Sequence, residues 1–225
     1  CRYLSFRDPS EEEKDNPISS MVGNGLRPDL WDCFRNRFNV ERIIEIYGAS
    51  EGNALFMNLL NKDETIGMTN ARVALFEYDV AEDKLVRDTE SKFIEVDEGQ
   101  PGLLLVEIGP DAIYNGYTDK KASEAKVVSN VFKEGDRWFN TGDLVKTMDV
   151  GFSLGRMHYQ FVDRVGDTFR WKSENVSTNE VAEILNAFDQ VNMANVFGVK
   201  VPQSEGRAGM VAFNCNLDDF KWDEF

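Results

Sequence analysis

Three short stretches hold the residue types that group-transfer chemistry uses. Tyr47-Gly48-Ala49-Ser50-Glu51 places glycine, a hydroxyl and a carboxylate side by side. Glycine lets a backbone come close to a ligand, a hydroxyl meets a phosphate, and a carboxylate oxygen suits Mg²⁺. The Tyr47 ring offers a face for a base. The plain alternative is a strand-to-helix turn capped by Ser50. Thr141-Gly142-Asp143 sets an acid behind a glycine, where it can bond both hydroxyls of a ribose. In isolation it reads first as an Asx turn. Asp163-Arg164 aims a guanidinium at a phosphate or forms a surface salt bridge. Taken singly, the first two stretches default to the ordinary turn.

The rest of the composition narrows the chemistry. The chain has 225 residues, 42% of them hydrophobic, enough for a sizeable core. Its 40 acids outnumber its 25 bases, for a net charge of -15. That excludes a general nucleic-acid binder, which needs a basic surface. No run reaches the roughly 18 apolar residues of a membrane span. Cys1, Cys33 and Cys215 are widely spaced, so neither a disulfide framework nor a zinc site is expected. His158 is the only histidine and no GxSxG elbow accompanies it, so it reads as a structural residue opening a strand. The expected setting is intracellular, cytoplasmic or on the cytoplasmic face of a membrane. The chain lacks an initiator Met and ends in an acidic, aromatic segment. It reads as an internal piece of a longer protein.

The elements that must position these residues follow from periodicity. Ile18 to Val22 reads as a strand ending in the turn Gly23-Asn24-Gly25. Pro28 and Asp29 open a helix, with Leu30, Trp31, Phe34 and Phe38 at helical spacing. Ile43, Ile44 and Ile46 mark a second strand. Short strands follow from Arg72 to Ile108, around an acidic stretch, Glu77 to Glu98, that reads as a solvated hairpin. Trp138-Phe139-Asn140-Thr141-Gly142-Asp143 reads as an aromatic turn, and Phe152 to Val162 as a hairpin. Asp163 to Asp167 is a polar turn. Beyond it come a strand (Thr168 to Lys172), a helix (Asn179 to Phe188) and a strand (Val191 to Val201).

Order and spacing together say more than any single motif. Gly23-Asn24-Gly25-Leu26-Arg27-Pro28 comes first, then Tyr47-Gly48-Ala49-Ser50-Glu51-Gly52-Asn53. Thr141-Gly142-Asp143-Leu144 and Asp163-Arg164-Val165-Gly166-Asp167-Thr168-Phe169-Arg170-Trp171-Lys172 follow. This series resembles the adenylate-forming (AMP-binding) superfamily, closest to its very-long-chain acyl-CoA synthetase and fatty-acid transport protein branch. The resemblance runs from about Ser20 to Phe213.

That resemblance implies a mixed α/β fold. Residues 1–163 would be the C-terminal portion of a layered adenylation domain, with a small β-barrel-like part over about 66–162. Residues 164–225 would begin a small α+β domain, with the hinge near 163–167. The implied activity joins a fatty acid to coenzyme A, with ATP consumed through an acyl-adenylate. Glu51 then corresponds to the Mg²⁺ ligand and Ser50 to the phosphate-facing hydroxyl. Tyr47 and Gly48 would line the adenine pocket opposite Asn24, Gly25 and Leu26. Asp143 would hold the ribose and Arg164 the ribose or phosphate. Gly166 corresponds to the hinge residue. Trp171, Lys172, Ser173 and Glu174 correspond to the thioester-forming loop, where Ser173 replaces the family's glycine. The phosphate-cradling loop would lie upstream of Cys1 and the adenylation Lys downstream of Phe225. Any membrane attachment would come from outside this chain. The chain by itself is therefore expected to have little ligase activity. The rival implication is a non-catalytic fatty-acid binding or uptake protein on the same scaffold.

Overall fold

The computed structural model describes every residue except 1, 6, 50–53, 81, 111, 172–173, 203–205, 217–219 and 223–225. It divides into two units, Cys1–Tyr78 with Leu85–Phe161, and Asp79–Lys84 with Val162–Phe225.

The first unit opens with a one-turn helix, α1 (Arg2–Ser5), and a 3-10 turn. Strand β1 (Ser20–Gly23) leads to α2 (Pro28–Asp32). Pro28 stands in the first turn of α2, where its missing N–H is not needed. Beyond Asp32 the helix widens into a π turn over Cys33–Arg37. The apolar spacing read from the sequence holds through this change. Trp31 and Phe34 are buried against Val40 and Ile43, with Leu26 and Phe38 packed around them. Strand β2 (Arg42–Gly48) returns parallel to β1, with Gly23 opposite Glu45. Its residues alternate in burial, so Ile43, Glu45 and Tyr47 share the inner face.

Of the stretch Tyr47 to Glu51, Tyr47 and Gly48 lie in β2, while the helix cap read at Ser50 lies outside the described residues. The chain comes straight back as β3 (Leu55–Met57), antiparallel to β2, with Tyr47 opposite Phe56 and Gly48 opposite Leu55.

A second sheet has the order β10-β9-β7-β4. It is built from β4 (Val73–Phe76), β7 (Gly102–Glu107), β9 (Arg137–Met148) and β10 (His158–Arg164), with β8 (Val127–Ser129) paired to β9. Strand β7 lies at its centre. Leu103, Leu104, Leu105 and Val106 are all 0% exposed, which is why this run carries no polar alternation. Leu104, Val106 and Val145 join Tyr47, Phe56, Ile66 and Leu75 in one core. Helix α3 (Lys120–Ala125) is capped by the Asp119 carboxylate and leads into β8. The small hairpin β5 (Tyr78–Asp79) and β6 (Lys84–Leu85) lies in the acidic stretch, whose Glu82, Asp83, Asp88 and Glu90 are exposed. His158 opens β10 and is fully buried, with Nδ1 3.2 Å from the Arg156 carbonyl oxygen.

Thr141-Gly142-Asp143, expected as part of an aromatic turn, lies inside the long strand β9. From Leu103 to Leu105 strand β7 pairs first with Leu144 and then with Asn140. Thr141, Gly142 and Asp143 therefore face a single residue of β7, and β9 bulges. Gly142 takes φ +78° in the bulge. Phe152 to Val162 likewise gives one strand, β10, preceded by a turn.

In the second unit, β11 (Phe169–Trp171) and β12 (Glu174–Val176) form an antiparallel pair, as do β13 (Met193–Val199) and β14 (Ala208–Asn214). Helix α4 (Thr178–Asn186) packs Ala182, Val181 and Leu185 against Phe169, Val196 and Val211. Gly198 and Gly209 sit opposite each other on β13 and β14, beneath the Phe169 side chain. A Cβ added at Gly198 would come within 2.5 Å of Phe169 Cβ. Two bare positions thus give the ring its seat. Asp79, which also belongs to this unit, pairs with Arg170 at 3.0 Å. No helix among the described residues is long and apolar enough to cross a membrane.

Candidate nucleotide site

Strand β2 ends in the residues on which the site is built. Tyr47 is 8% exposed, and its ring meets Phe56 edge-on with centroids 5.4 Å apart. Phe161 lies on another side at 6.4 Å. The hydroxyl of Tyr47 donates to Asp143 Oδ2 at 2.5 Å. The ring is thus largely enclosed by protein, and its hydroxyl is directed at the ribose candidate. Gly48 closes the strand, and the Ala49 N–H donates to the Ala54 carbonyl. Ser50 and Glu51 lie outside the described residues. Among the described residues no group of three or more His, Cys, Asp and Glu side chains is placed to hold a metal ion.

Asp143 owes its position to the bulge. Thr141 Oγ1 donates to the Leu104 carbonyl oxygen at 3.0 Å and accepts the Asp143 N–H at 3.1 Å. The Gly142 N–H donates to Asn140 Oδ1 at 2.9 Å. The side chain and main chain of this tripeptide are therefore fixed locally, and Asp143 stays half-buried beside Tyr47.

The turn after β1 is fixed from below. Glu45, on the inner face of β2 and 3% exposed, accepts the N–H of Leu26 at 3.0 Å and the N–H of Gly25 through the same oxygen, Oε1. Gly25 takes φ +85°, which glycine adopts without strain. Burial pushes the Glu45 carboxyl above the usual glutamate range, and the two amide donors pull the other way without cancelling it. Asn24 and Gly25 are exposed and Leu26 is half-buried. Sequence reasoning missed Glu45. The available signal was an acid at the buried parity of an otherwise apolar strand, between Ile43 and Tyr47.

The remaining candidates belong to the second unit. Arg164 ends β10 and is exposed. Its neighbour Asp163 is 0% exposed, which corrects the reading of this pair as a surface salt bridge. Asp163 Oδ2 accepts from Ser177 Oγ at 3.0 Å, the Thr178 N–H at 2.8 Å, Thr178 Oγ1 at 3.1 Å and the Asn179 N–H at 3.3 Å. Oδ1 accepts from Asn179 Nδ2 at 2.7 Å and from the Arg164 N–H at 2.8 Å. A carboxylate at the start of α4 also suits the positive end of that helix. Gly166 lies in the following turn, and a Cβ there would meet nothing within 4 Å. Trp171 is half-buried against the second unit's core. Lys172 and Ser173 lie outside the described residues, and Glu174 is described only by its backbone pairing with Trp171.

The structure thus joins Tyr47 to Asp143 and ties Gly25 and Leu26 to the strand that carries Tyr47. No protein-family model matches the chain. A solved structure of an ATP-bound RpMatB–BxBclM chimera superposes on 99% of this chain and 40% of its own, with a TM-score of 0.71 at 16% identity. In fold the chain matches part of the adenylate-forming enzymes. In sequence it is similar to part of fatty acid–CoA ligases and fatty acid transport proteins. It is 43% identical over 212 residues to a medium/long-chain-fatty-acid–CoA ligase of Mycobacterium tuberculosis, covering 94% of this chain and 34% of that relative. It is 39% identical over 219 residues to long-chain fatty acid transport protein 3 of Homo sapiens, covering 94% of this chain and 31% of that relative. The chain spans about a third of the length of these curated relatives.

Proposed function

We propose that the chain is the nucleotide-holding part of an ATP-dependent ligase for long- or very-long-chain fatty acids. In the first half-reaction the fatty carboxylate attacks the α-phosphorus of ATP, giving an acyl-adenylate and releasing pyrophosphate. In the second, the thiol of coenzyme A attacks the acyl carbon and AMP leaves. The observation that carries this reading is the Tyr47–Asp143 hydrogen bond. It holds a carboxylate at the bulge, in a chain related to a fatty acid–CoA ligase.

The residues of this chain take the following parts. Asp143 binds the ribose hydroxyls and is oriented by Tyr47. Gly48 and the turn of Asn24, Gly25 and Leu26 bound the base. Ser50 faces the phosphates and Glu51 is the Mg²⁺ ligand through a carboxylate oxygen. The ion, when bound, offsets charge on the phosphates. Arg164 stabilises negative charge on the nucleotide. Gly166 serves as the pivot of a small domain that begins at about residue 164, and its open surroundings support that part. Trp171, Lys172, Ser173 and Glu174 border the coenzyme A path. The setting is intracellular, at the cytoplasm or its membrane face.

The test is fatty-acid-dependent AMP formation by the complete protein carrying this chain. Asp143→Ala should lower it at least tenfold through weaker nucleotide binding, an effect of roughly 1.4 kcal/mol or more. Unchanged AMP formation in that variant would remove Asp143 from the site. A second reading is favoured by the relative named as a transport protein. On it the protein binds fatty acid without activating it. Fatty-acid binding with no AMP formed at any ATP concentration would select that reading.

A further inference from the structure

The turn between β9 and β10 puts its apolar residues in water. Phe152 is 73% exposed, Leu154 61% and Met157 42%. Single apolar residues scattered over a surface need no cause, but several held out on one turn mark a place of contact. This turn is held. The Gly151 N–H donates to Asp149 Oδ1 at 2.9 Å, and the Arg156 N–H to the Ser153 carbonyl at 3.0 Å. At its base Lys62 Nζ donates to the Val150 carbonyl at 2.9 Å. Nδ1 of the fully buried His158 lies 3.2 Å from the Arg156 carbonyl oxygen. Leu154 takes φ +56°, a left-handed conformation that a branched apolar residue disfavours. The other described non-glycine residues at positive φ are all polar. A leucine kept in that conformation with its side chain in solvent points to a use for the side chain.

Charge selects the occupant. From Val150 to Met157 the one charged residue is Arg156, itself exposed. The turn is thus locally cationic in a chain of net charge -15. An apolar tip with a guanidinium at its rim fits a lipid interface, where acyl chains take the apolar groups and a headgroup phosphate takes the cation. The chain's overall charge opposes an anionic bilayer, which calls for a basic patch. A second copy seated on the same turn would set Arg156 against Arg156.

We propose that the β9–β10 turn docks on a neutral lipid surface, inserting Phe152, Leu154 and Met157 and placing Arg156 at the headgroup phosphates. The membrane attachment assigned from the sequence to parts outside this chain then has one element within it. The proposal needs nothing from the nucleotide reading.

The experiment uses the complete protein and phosphatidylcholine vesicles. Phe152→Trp puts an indole on the turn, and lipids brominated along their acyl chains quench an indole that enters them. The variant should lose more fluorescence on such vesicles than the wild type does. Quenching no greater than that of the wild type overturns the proposal. That result is also expected if the rest of the complete protein, a second copy or a protein partner covers the turn. Added salt should leave the quenching unchanged, because apolar insertion is not screened. Quenching that appears only with anionic lipid and vanishes in salt overturns the proposal. Phe152→Ser combined with Leu154→Gly should lower partition onto the vesicles by about tenfold or more. Glycine accepts the positive φ, so this variant should melt close to the wild type. Partition unchanged in it overturns the proposal, and the indole measurement stands whether or not this variant folds.

Discussion

Tyr47 and Asp143 stand 96 residues apart in the chain and 2.5 Å apart in space, phenol hydroxyl to carboxylate oxygen. The bond links the end of a strand in the first sheet to a bulge in the second. Both residues were singled out in the sequence for separate reasons. Their junction ties the Tyr47 hydroxyl to the acid, and on the proposed reading Tyr47 orients Asp143.

Removing that hydroxyl tests the link. Tyr47→Phe should lower stability by about 1–2 kcal/mol, as expected for a hydrogen bond to a charged acceptor. It should also weaken ATP binding several-fold, about 1 kcal/mol on the scale of one hydrogen bond. Denaturant titration and calorimetry read the two effects separately. Wild-type values in both would show that the bond orients nothing.

Asp163 gathers six donors in a buried place. Asp163→Ala leaves the hydroxyls and amides at the start of α4 without their acceptor. The expected loss is about 3 kcal/mol, in the range for stripping a buried charged partner from its donors. Urea unfolding of the variant should show it, and a loss under 1 kcal/mol would mean that water replaces the carboxylate.

Gly198 tests the seat of Phe169. A methyl group there meets a side-chain carbon at 2.5 Å, inside any real contact distance. Gly198→Ala should destabilise the second unit by about 1–3 kcal/mol through overpacking. Pairing it with Phe169→Ala, which removes the Cγ and the ring so that the backbone can yield, should cost less than the sum of the two single losses, read as a non-additive double-mutant cycle.

Ser173 stands where the superfamily resemblance expects glycine. On the proposed function, a side chain at this position would narrow the path of the coenzyme A thiol. Ser173→Gly in the complete protein should speed thioester formation and leave adenylate formation unchanged. Single-turnover assays of each half-reaction separate the two, and equal thioester rates would sink the idea.

Glu45 carries a pH signature. Its carboxyl is held above the ordinary glutamate value by burial. The folded state therefore keeps the proton more tightly than the unfolded chain, whose glutamate titrates near about pH 4.3. Stability from this group is fully present below that value and falls as pH rises through the raised folded value. Glu45→Gln has no such loss. The melting temperature of the variant should gain on the wild type as pH rises from about 4 to 7, and a constant offset across that range would argue against it.

Much of the scaffold was legible because it is local. The alternation through Ile43 and Tyr47, the apolar run Leu103 to Val106, and the spacing of Trp31 and Phe34 each report which face is buried. The misses are non-local. Thr141-Gly142-Asp143 has the same residues whether it makes a turn or a bulge, and only the pairing of Asn140 and Leu144 with β7 decides between them. Asp163 resembles any turn acid until Ser177, Thr178 and Asn179 arrive to bury it. Glu45 is an anomaly in its own strand, and its explanation lies about 20 residues upstream. Ser50, Glu51, Lys172 and Ser173 were read from motif alone.

The bulge in β9 has an even excess. Between its pairings with Leu105 and Leu103, β9 runs from Asn140 to Leu144 while β7 moves by two residues. Side chains on a strand alternate faces, so an even excess leaves Leu144 and Val145 on the sides they would occupy in an unbroken ladder. The acid is thus an insertion that the hydrophobic core does not register. Excising two residues here would erase the ribose candidate and spare the sheet, whereas excising one would turn Leu144 and Val145 inside out. A change of length in pairs at this position keeps the facing of Leu144 and Val145, while the bonds of Thr141 and Asp143 to Leu104 and Tyr47 go with the residues removed.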